Sequence, residues 1–292
     1  MSPFTPPKQF VTVNDRRMAY TEAGEGDPIV FIHGNPTSSH LWRDVIGEVA
    51  PLGRCLAPDL IGMGDSDKLP DSGTNRYTFA DHRRFLDSWI DAVGASEKVT
   101  LVGHDWGAAL AFDWARRHPS RVCGIAYMEA PVAAARWADF PEQAAQLFGA
   151  LRSAAGEAMI LEQNMFIEQL LPAGVLTPLS EEAMAEYRRP FANRGEARRP
   201  MLSWARQIPI DSQPADVAET ITANGAWLAS SNVPKLLVNA EPGQVLVGPA
   251  RELCRTWPNQ TEITVTGRHF IQEDAGPEIG RAIAAWCKQL DE

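Results

Sequence analysis

The stretch from residue 99 to residue 109 constrains the fold of this chain more than any other. An apolar, β-branched run stops at Gly103, and a run of small residues that favours helix begins after Gly107. Asp105 lies between these two glycines, in the spacing Gly-x-Asp-x-Gly. Glycines at both places let the backbone turn sharply from a strand into a helix and hold the middle side chain at the tip. The stretch therefore predicts a strand–turn–helix unit that presents Asp105.

The side chain at the tip is a carboxylate, and this limits the chemistry that it can perform. A carboxylate that attacks an acyl carbon gives only a labile anhydride. A carboxylate that attacks an sp3 carbon bearing a leaving group gives an ester, which an activated water can then hydrolyse. We therefore expect alkyl-transfer hydrolysis with Asp105 as the nucleophile. The alternative is that Asp105 only caps the helix that follows it.

Strand patterns and helix patterns alternate along most of the chain. The predicted strands are residues 9–13, 17–22, 28–33, 55–58, 99–102, 121–128, 235–239 and 261–265. The predicted helices between and after them include residues 39–49, 78–93, 214–228 and 277–290. This alternation predicts an α/β fold with a mainly parallel, eight-stranded sheet flanked by helices.

The alternation stops over residues 133–209, which are almost wholly helical in pattern and are interrupted by prolines. We interpret this stretch as an inserted helical cap. The predicted division is a core domain of residues 1–132 and 212–292 and a cap domain of residues 133–211.

Charge and composition exclude several classes of partner. The formal net charge of −10 argues against nucleic-acid or anionic-membrane binding, because both need a basic surface. No apolar run approaches the ~18 residues that a membrane span needs, and residues 1–8 lack the apolar core of a leader peptide. We therefore expect no membrane association and a cytoplasmic location, with the periplasm as the alternative.

Neither the four cysteines nor the six histidines have the spacing of a metal site, so we expect no metal. Cys55 and Cys123 fall within predicted strands, where we expect buried, reduced thiols.

Polar side chains follow four of the predicted strands, namely Asn35, Asp105, Glu129 and His269. The carboxyl ends of parallel strands meet at one edge of a sheet, so we expect these side chains to lie close together. A nucleophile, an acid and a histidine in this chain order have the pattern of a hydrolase triad. Glu241 fits the same chain order, and on fold logic alone it is the better candidate, because the acid of such hydrolases usually follows the later strand. The residues by themselves leave the choice of acid open.

Asn35 and Trp106 add hydrogen-bond donors beside the nucleophile. At these two places a hydrolase normally uses only backbone N–H groups, whereas here the side chains also carry an amide and an indole N–H. A halide that leaves an sp3 carbon in a dry pocket needs donors where its charge develops. The alternative is that Trp106 fills the core and that Asn35 forms a turn.

Several segments together resemble the haloalkane dehalogenases, and the resemblance is closest to the subfamily of the hexachlorocyclohexane-pathway dehalogenase. These segments are residues 33–38, 59–64, 104–107, 128–130, 137–143, 196–204 and 269–274. The resemblance implies an α/β-hydrolase fold that converts a haloalkane and water to an alcohol, a halide and a proton.

The resemblance also implies a role for each site residue. Asp105 is then the nucleophile, His269 the base and Glu129 the acid that orients it. The side chains of Asn35 and Trp106 hold the halide, and their backbone N–H groups stabilise the oxyanion during ester hydrolysis. We expect no cofactor, a haloalkane and a halide ion as the partners, and a monomer by default. The substrate pocket is predicted to be lined by Phe140, Phe148, Trp204, Ala205 and Val245.

The chain departs from its relatives at Pro131, Ala205 and Arg268 and over residues 244–246. All of these positions are expected near the pocket, so they leave the substrate range open. Two other functions are weighed. An epoxide hydrolase shares the Asp–His chemistry but needs acidic donors, and the predicted cap has only Tyr187. A non-catalytic binding protein could also use this fold.

Overall fold

The computed structural model describes residues 6–290, and within them eight strands form one sheet in the order β1-β2-β4-β3-β5-β6-β7-β8. The strands are β1 Gln9–Val13, β2 Arg16–Ala23, β3 Pro28–Ile32, β4 Arg54–Pro58, β5 Val99–His104, β6 Val122–Met128, β7 Lys235–Pro242 and β8 Gln260–Gly267. Strand β2 pairs antiparallel with β1 and β4, and the pairs from β4 through to β8 are parallel. The predicted mainly parallel, eight-stranded sheet is confirmed. The absence of a leader was predicted from residues 1–8, of which residues 1–5 lie outside the described part.

Helices cover both faces of the sheet. They are α1 Arg43–Val49, α2 Phe79–Ala92, α3 Trp106–Arg117, α4 Glu142–Arg152, α5 Leu171–Ala173, α6 Glu181–Arg188, α7 Arg199–Arg206, α8 Ala215–Ser230, α9 Gly248–Arg255 and α10 Ile271–Leu290. Helix α2 begins at a capping box, in which Thr78 and Asp81 each bond to the other's backbone N–H. No helix within residues 6–290 is both long and apolar enough to cross a membrane.

Successive side chains of the central strands enter two separate apolar clusters. Val30 and Leu101 belong to the cluster that contains the apolar residues of α2 and α3. Phe31 and Val102 belong to the cluster that contains those of α1 and α10. Side chains alternate across a strand, so a sheet with helices on both faces needs apolar residues in succession. This explains why β3 and β5 read as continuous apolar runs.

The chain between β6 and α8 is mainly helical. Besides α4–α7 it contains two π-helical segments, Glu157–Glu162 and Phe166–Leu170. The buried Arg198 guanidinium joins turns of this segment, since it donates hydrogen bonds to the carbonyl oxygens of Leu161, Glu162 and Phe191. The proposed boundaries of the cap, residues 133–211, stay a prediction.

The structure differs from the sequence expectations in three places. Helix α9 is not predicted, because it has eight residues and only Cys254 is fully buried, so its apolar stripe is too short to recognise. Helix α10 begins six residues earlier than predicted, and Ala275 breaks the helical geometry just before Pro277. Cys123 is expected to be buried and is only partly buried, because it lies near the start of β6, whose first two residues are both partly exposed.

Candidate active site

Asp105 lies in a sharp turn between β5, which ends at His104, and α3, which begins at Trp106. Its backbone angles are φ 52° and ψ −129°, outside the ordinary regions for a non-glycine residue. A Cβ atom on Gly107 would lie 2.0 Å from the carbonyl oxygen of Ile32, and one on Gly103 would lie 2.4 Å from the Cα of Ala108. Both glycines are therefore required, and the predicted strand–turn–helix unit is confirmed.

The carboxylate of Asp105 is fixed against the loop that follows β3. Its Oδ2 accepts a hydrogen bond from the backbone N–H of Asn35 at 2.9 Å. A Cβ on Gly34 would lie 2.3 Å from the same oxygen, so only glycine at position 34 lets the loop come this close to Asp105. Burial raises the pKa of Asp105, and the charge of His269 and the backbone N–H groups of Asn35 and Trp106 oppose this shift.

His269 follows β8 and lies between two carboxylates. Its Nε2 is 3.9 Å from Oδ1 of Asp105, and its Nδ1 is 3.3 Å from Oε2 of Glu129. Burial alone would lower the pKa of His269, but the hydrogen bond to Glu129 and the charge of Asp105 outweigh it, so the pKa is raised. The two carboxylates therefore stabilise the charged form of the imidazole relative to a free histidine.

The structure distinguishes between the two acids that the sequence leaves open. Glu129 is buried beside His269, and its carboxylate accepts the backbone N–H groups of Gln244, Val245 and Leu246 at 3.0, 2.7 and 3.2 Å. Glu241 lies near the end of β7 and is exposed to solvent. The structure therefore brings Glu129, and not Glu241, to the histidine.

Two residues next to Asp105 carry side-chain donors. Trp106 is buried at the start of α3, and its ring stacks on that of Trp204 with centroids 4.7 Å apart. The Asn35 amide donates one hydrogen bond to the carbonyl oxygen of Met201, at 3.1 Å. An amide nitrogen carries two N–H groups, so a second one stays available to a ligand. Helix α7 thus contacts both donors.

This geometry agrees with what known proteins show. A model of the α/β hydrolase fold matches residues 27–276. A haloalkane dehalogenase from Sphingobium indicum is 58% identical over 283 residues, which cover 97% of this chain and 96% of that protein. The chain belongs to the haloalkane dehalogenase family. A second dehalogenase, from Mycolicibacterium smegmatis, is 51% identical to it and is matched over 91% of its own length.

A solved structure gives the same result for the fold. The crystal structure of the haloalkane dehalogenase DbeA from Bradyrhizobium elkani is similar to this dehalogenase with a TM-score of 0.92 and 43% identity, over 98% of each chain. The predicted α/β-hydrolase fold and the predicted family are both confirmed.

The residues predicted to line the pocket of this dehalogenase occupy different environments. Trp204 and Ala205 are buried on α7, and Trp204 lies against Trp106. Phe140 and Phe148 are partly buried and pack on each other with ring centroids 5.4 Å apart. Val245 is 41% exposed, and its backbone N–H binds Glu129. The role of these residues as a pocket lining stays a prediction.

Two buried histidines next to the site are not among the residues predicted from the sequence. His104 directly precedes the nucleophile, and its Nε2 lies 2.8 Å from the carbonyl oxygen of His269. His82 stacks on the far face of Trp204 with ring centroids 4.0 Å apart. The sequence signal for His82 is its place on the apolar stripe of α2, three residues after Phe79. In residues 6–290 no three His, Cys, Asp or Glu side chains form a group that could hold a metal ion.

Proposed function

We propose that this haloalkane dehalogenase acts in two steps through a covalent alkyl ester on Asp105. One observation carries the proposal: Nε2 of His269 lies 3.9 Å from the nucleophile's Oδ1, while its Nδ1 faces the buried Glu129. This separation is too long for a direct hydrogen bond and leaves Nε2 available to a water molecule. The site then holds a nucleophile, a base and an acid that orients the base.

In the first step, Asp105 displaces the halide from the substrate carbon. Its Oδ2 is bound by the backbone N–H of Asn35, so we assign Oδ1 as the attacking oxygen. The C–O bond forms as the C–halogen bond breaks, and the electron pair of that bond leaves with the halide. We assign the indole N–H of Trp106 and the second amide N–H of Asn35 as donors to the halide.

In the second step, water hydrolyses the ester. His269 accepts a proton from the water at Nε2, and the hydroxide attacks the carbonyl carbon of Asp105. The negative charge then develops on Oδ2, where the backbone N–H of Asn35 already donates, and the backbone N–H of Trp106 bonds the same carboxylate. Glu129 stabilises the imidazolium. Collapse of this intermediate releases the alcohol and restores the carboxylate, and the proton leaves His269 for solvent.

The apolar side chains near the site support a haloalkane as the substrate. We assign Phe140, Phe148, Trp204 and Ala205 to the wall of the binding pocket, because apolar walls with few donors suit such a molecule. An epoxide hydrolase would need an acidic donor near the nucleophile. Tyr187 is the only tyrosine in residues 133–211, and it is buried with its hydroxyl donating to Glu273. The nearby donors therefore favour a halide.

The variant His269→Ala tests the proposal. Without the base, the first step proceeds once and the ester persists. We expect one halide released per active site and, by mass spectrometry, an alkyl adduct on the peptide that contains Asp105. The matched control His269→Ala/Asp105→Ala should give neither halide nor adduct. Sustained turnover in His269→Ala, or an adduct on a peptide without Asp105, would contradict the mechanism.

A further inference from the structure

The side chain of His104 contacts the main chain of His269, the proposed base. His104 is the last residue of β5, directly before the nucleophile, and it is fully buried. Its Nε2 is 2.8 Å from the carbonyl oxygen of His269, and the two imidazole rings have centroids 4.7 Å apart. The side chain of His104 therefore links β5, the strand that leads to Asp105, to the main chain of His269.

The chemistry of this contact fixes the tautomer of His104. Burial, and secondarily the charge of His269, hold the pKa of His104 well below its usual value, so the ring is neutral. A carbonyl oxygen can only accept, so the single ring proton is on Nε2. The other nitrogen, Nδ1, is buried and has no hydrogen-bond partner among the described residues. A buried nitrogen without a partner lowers stability, and an apolar side chain at this position would not carry that cost. The advantage of a histidine here is therefore its hydrogen bond to the carbonyl oxygen of His269.

The carbonyl oxygen of His269 is the part of its main chain that His104 fixes. His269 lies two residues beyond the end of β8, and the bonds of Arg268 to Asp274 and of Phe270 to Gly174 hold the chain on either side of it without reaching that oxygen. The bond between its side chain and Glu129 is long, at 3.3 Å, and does not by itself fix the depth of the ring in the site. At 3.9 Å from Oδ1 of Asp105, Nε2 can bond only a water that lies beside the two groups, which leaves little error in the position of the ring. A small shift of the main chain would therefore misplace the base.

We propose that His104 is a positioning residue for His269, holding its main chain so that the imidazole stays within reach of a water that lies beside Asp105. The proposal rests on the two-step mechanism given above. His104 makes no bond to the carboxylate of Asp105, to Asn35 or to Trp106 among the contacts of the described residues. It therefore acts on hydrolysis of the ester and leaves cleavage of the carbon–halogen bond unchanged.

The test compares variants of His104 by rapid-quench kinetics of the full-length protein with 1-bromobutane. His104→Phe and His104→Met fill the space without a donor, and His104→Gln can donate from its amide. We expect His104→Phe and His104→Met to keep the halide burst but to hydrolyse the ester about tenfold more slowly, so that alkyl-enzyme accumulates. His104→Gln should restore most of the hydrolysis rate. Two apolar variants are used so that failure of one to fold does not decide the test.

A purely structural role would give a different pattern. The control Ile283→Val removes a buried methylene from the apolar cluster of α1 and α10, which contains none of the site residues, and should change both rates equally or not at all. Loss of the burst together with hydrolysis, or equal behaviour of His104→Gln and His104→Phe, would overturn the positioning role. Failure of the two-step mechanism is distinguishable, because the parent protein and His269→Ala would then form no adduct.

Discussion

Glu129 is held by more bonds than any other charged group of the site. Its backbone is in the left-handed region, with φ 46°, and its carboxylate accepts three backbone N–H groups before it meets His269. Each of these donors needs an oxygen acceptor with a free lone pair. A carboxylate provides enough lone pairs for all four contacts, whereas an amide does not. This position therefore requires a carboxylate, and a side chain of the same size without one would not replace it.

We expect Glu129→Gln to block ester hydrolysis. An amide cannot neutralise the imidazolium and favours the wrong tautomer of the histidine, which lowers the rate by about 10⁴ in a serine protease triad. The matched control Glu241→Gln changes an exposed residue on β7, the strand next to β6, and should stay within about tenfold of the parent, since exposed substitutions have small effects. Single-turnover quench experiments measure the rate of ester hydrolysis in both variants. A slow Glu241→Gln together with a normal Glu129→Gln would identify Glu241 as the acid.

The site could be predicted from the sequence only where backbone topology decides it. Asn35, Asp105, Glu129 and His269 follow strands whose ends meet at one edge, and the structure places them there. The choice between Glu129 and Glu241 depends on which side chain turns inward, and no local pattern encodes that. The contact of His104 is with a carbonyl oxygen 165 residues away, and a backbone group leaves no sequence signal.

At the scale of elements, Asp274 connects the loop of the base to the segment after α5. Its carboxylate accepts the backbone N–H groups of Leu176 at 2.9 Å and Thr177 at 3.1 Å, and more weakly that of Arg268 at 3.3 Å. The backbone N–H of Phe270 also donates to the carbonyl oxygen of Gly174, at 2.9 Å. Residues 174–177 and the loop of His269 are therefore held as one unit.

We expect Asp274→Ala to loosen residues 174–177. Removal of the carboxylate leaves the N–H groups of Leu176 and Thr177 without their acceptor, so local opening becomes easier. Amide hydrogen exchange followed by mass spectrometry should show these residues exchanging about tenfold faster or more. Glu278→Ala, an exposed acid on the same helix, should leave the exchange unchanged. Unchanged protection in Asp274→Ala would show that packing alone holds the segment.

The elements that the sequence predicts best are those with long periodic patterns. Helix α2 begins where Thr78 predicts it and buries the expected apolar stripe. Helix α9 is not predicted, because a short helix presents too few apolar residues in register. The segments Glu157–Glu162 and Phe166–Leu170 fall within the stretch predicted as helical, but no sequence pattern predicts their π-helical geometry. Their positions depend on tertiary contacts.

At the scale of the whole molecule, three of the six histidines, His33, His82 and His104, are fully buried, and His40 is partly buried. Burial lowers the pKa of His33 and His40 to about 4, and it holds those of His82 and His104 well below the usual value. In the unfolded chain these groups titrate near about pH 6.5. Below that pH the unfolded state therefore binds more protons than the folded state. His269 acts in the opposite direction, because its pKa is raised in the folded protein.

We expect the free energy of unfolding to fall as the pH decreases from about 6.5 towards 4. Each neutral buried histidine contributes a loss of about 1.4 kcal/mol per pH unit in this window, and its contribution is fully present above the unfolded pKa. Urea unfolding at several pH values measures how the free energy of unfolding changes per pH unit. His82→Phe keeps a ring against Trp204 and should reduce this change by about 1.4 kcal/mol per pH unit, the contribution of one proton. A stability that rises on acidification, or a slope unchanged in His82→Phe, would contradict this account.

The covalent ester on Asp105 is the central claim, and the origin of the oxygen in the product tests it most directly. The measurement is a single turnover, with enzyme in excess over haloalkane, in water labelled with oxygen-18. The ester mechanism transfers an oxygen from the Asp105 carboxylate, so the first alcohol should be unlabelled and the label should appear in the peptide that contains Asp105. Label in the first alcohol, with none in the protein, would show that water attacks the substrate directly and would contradict the account.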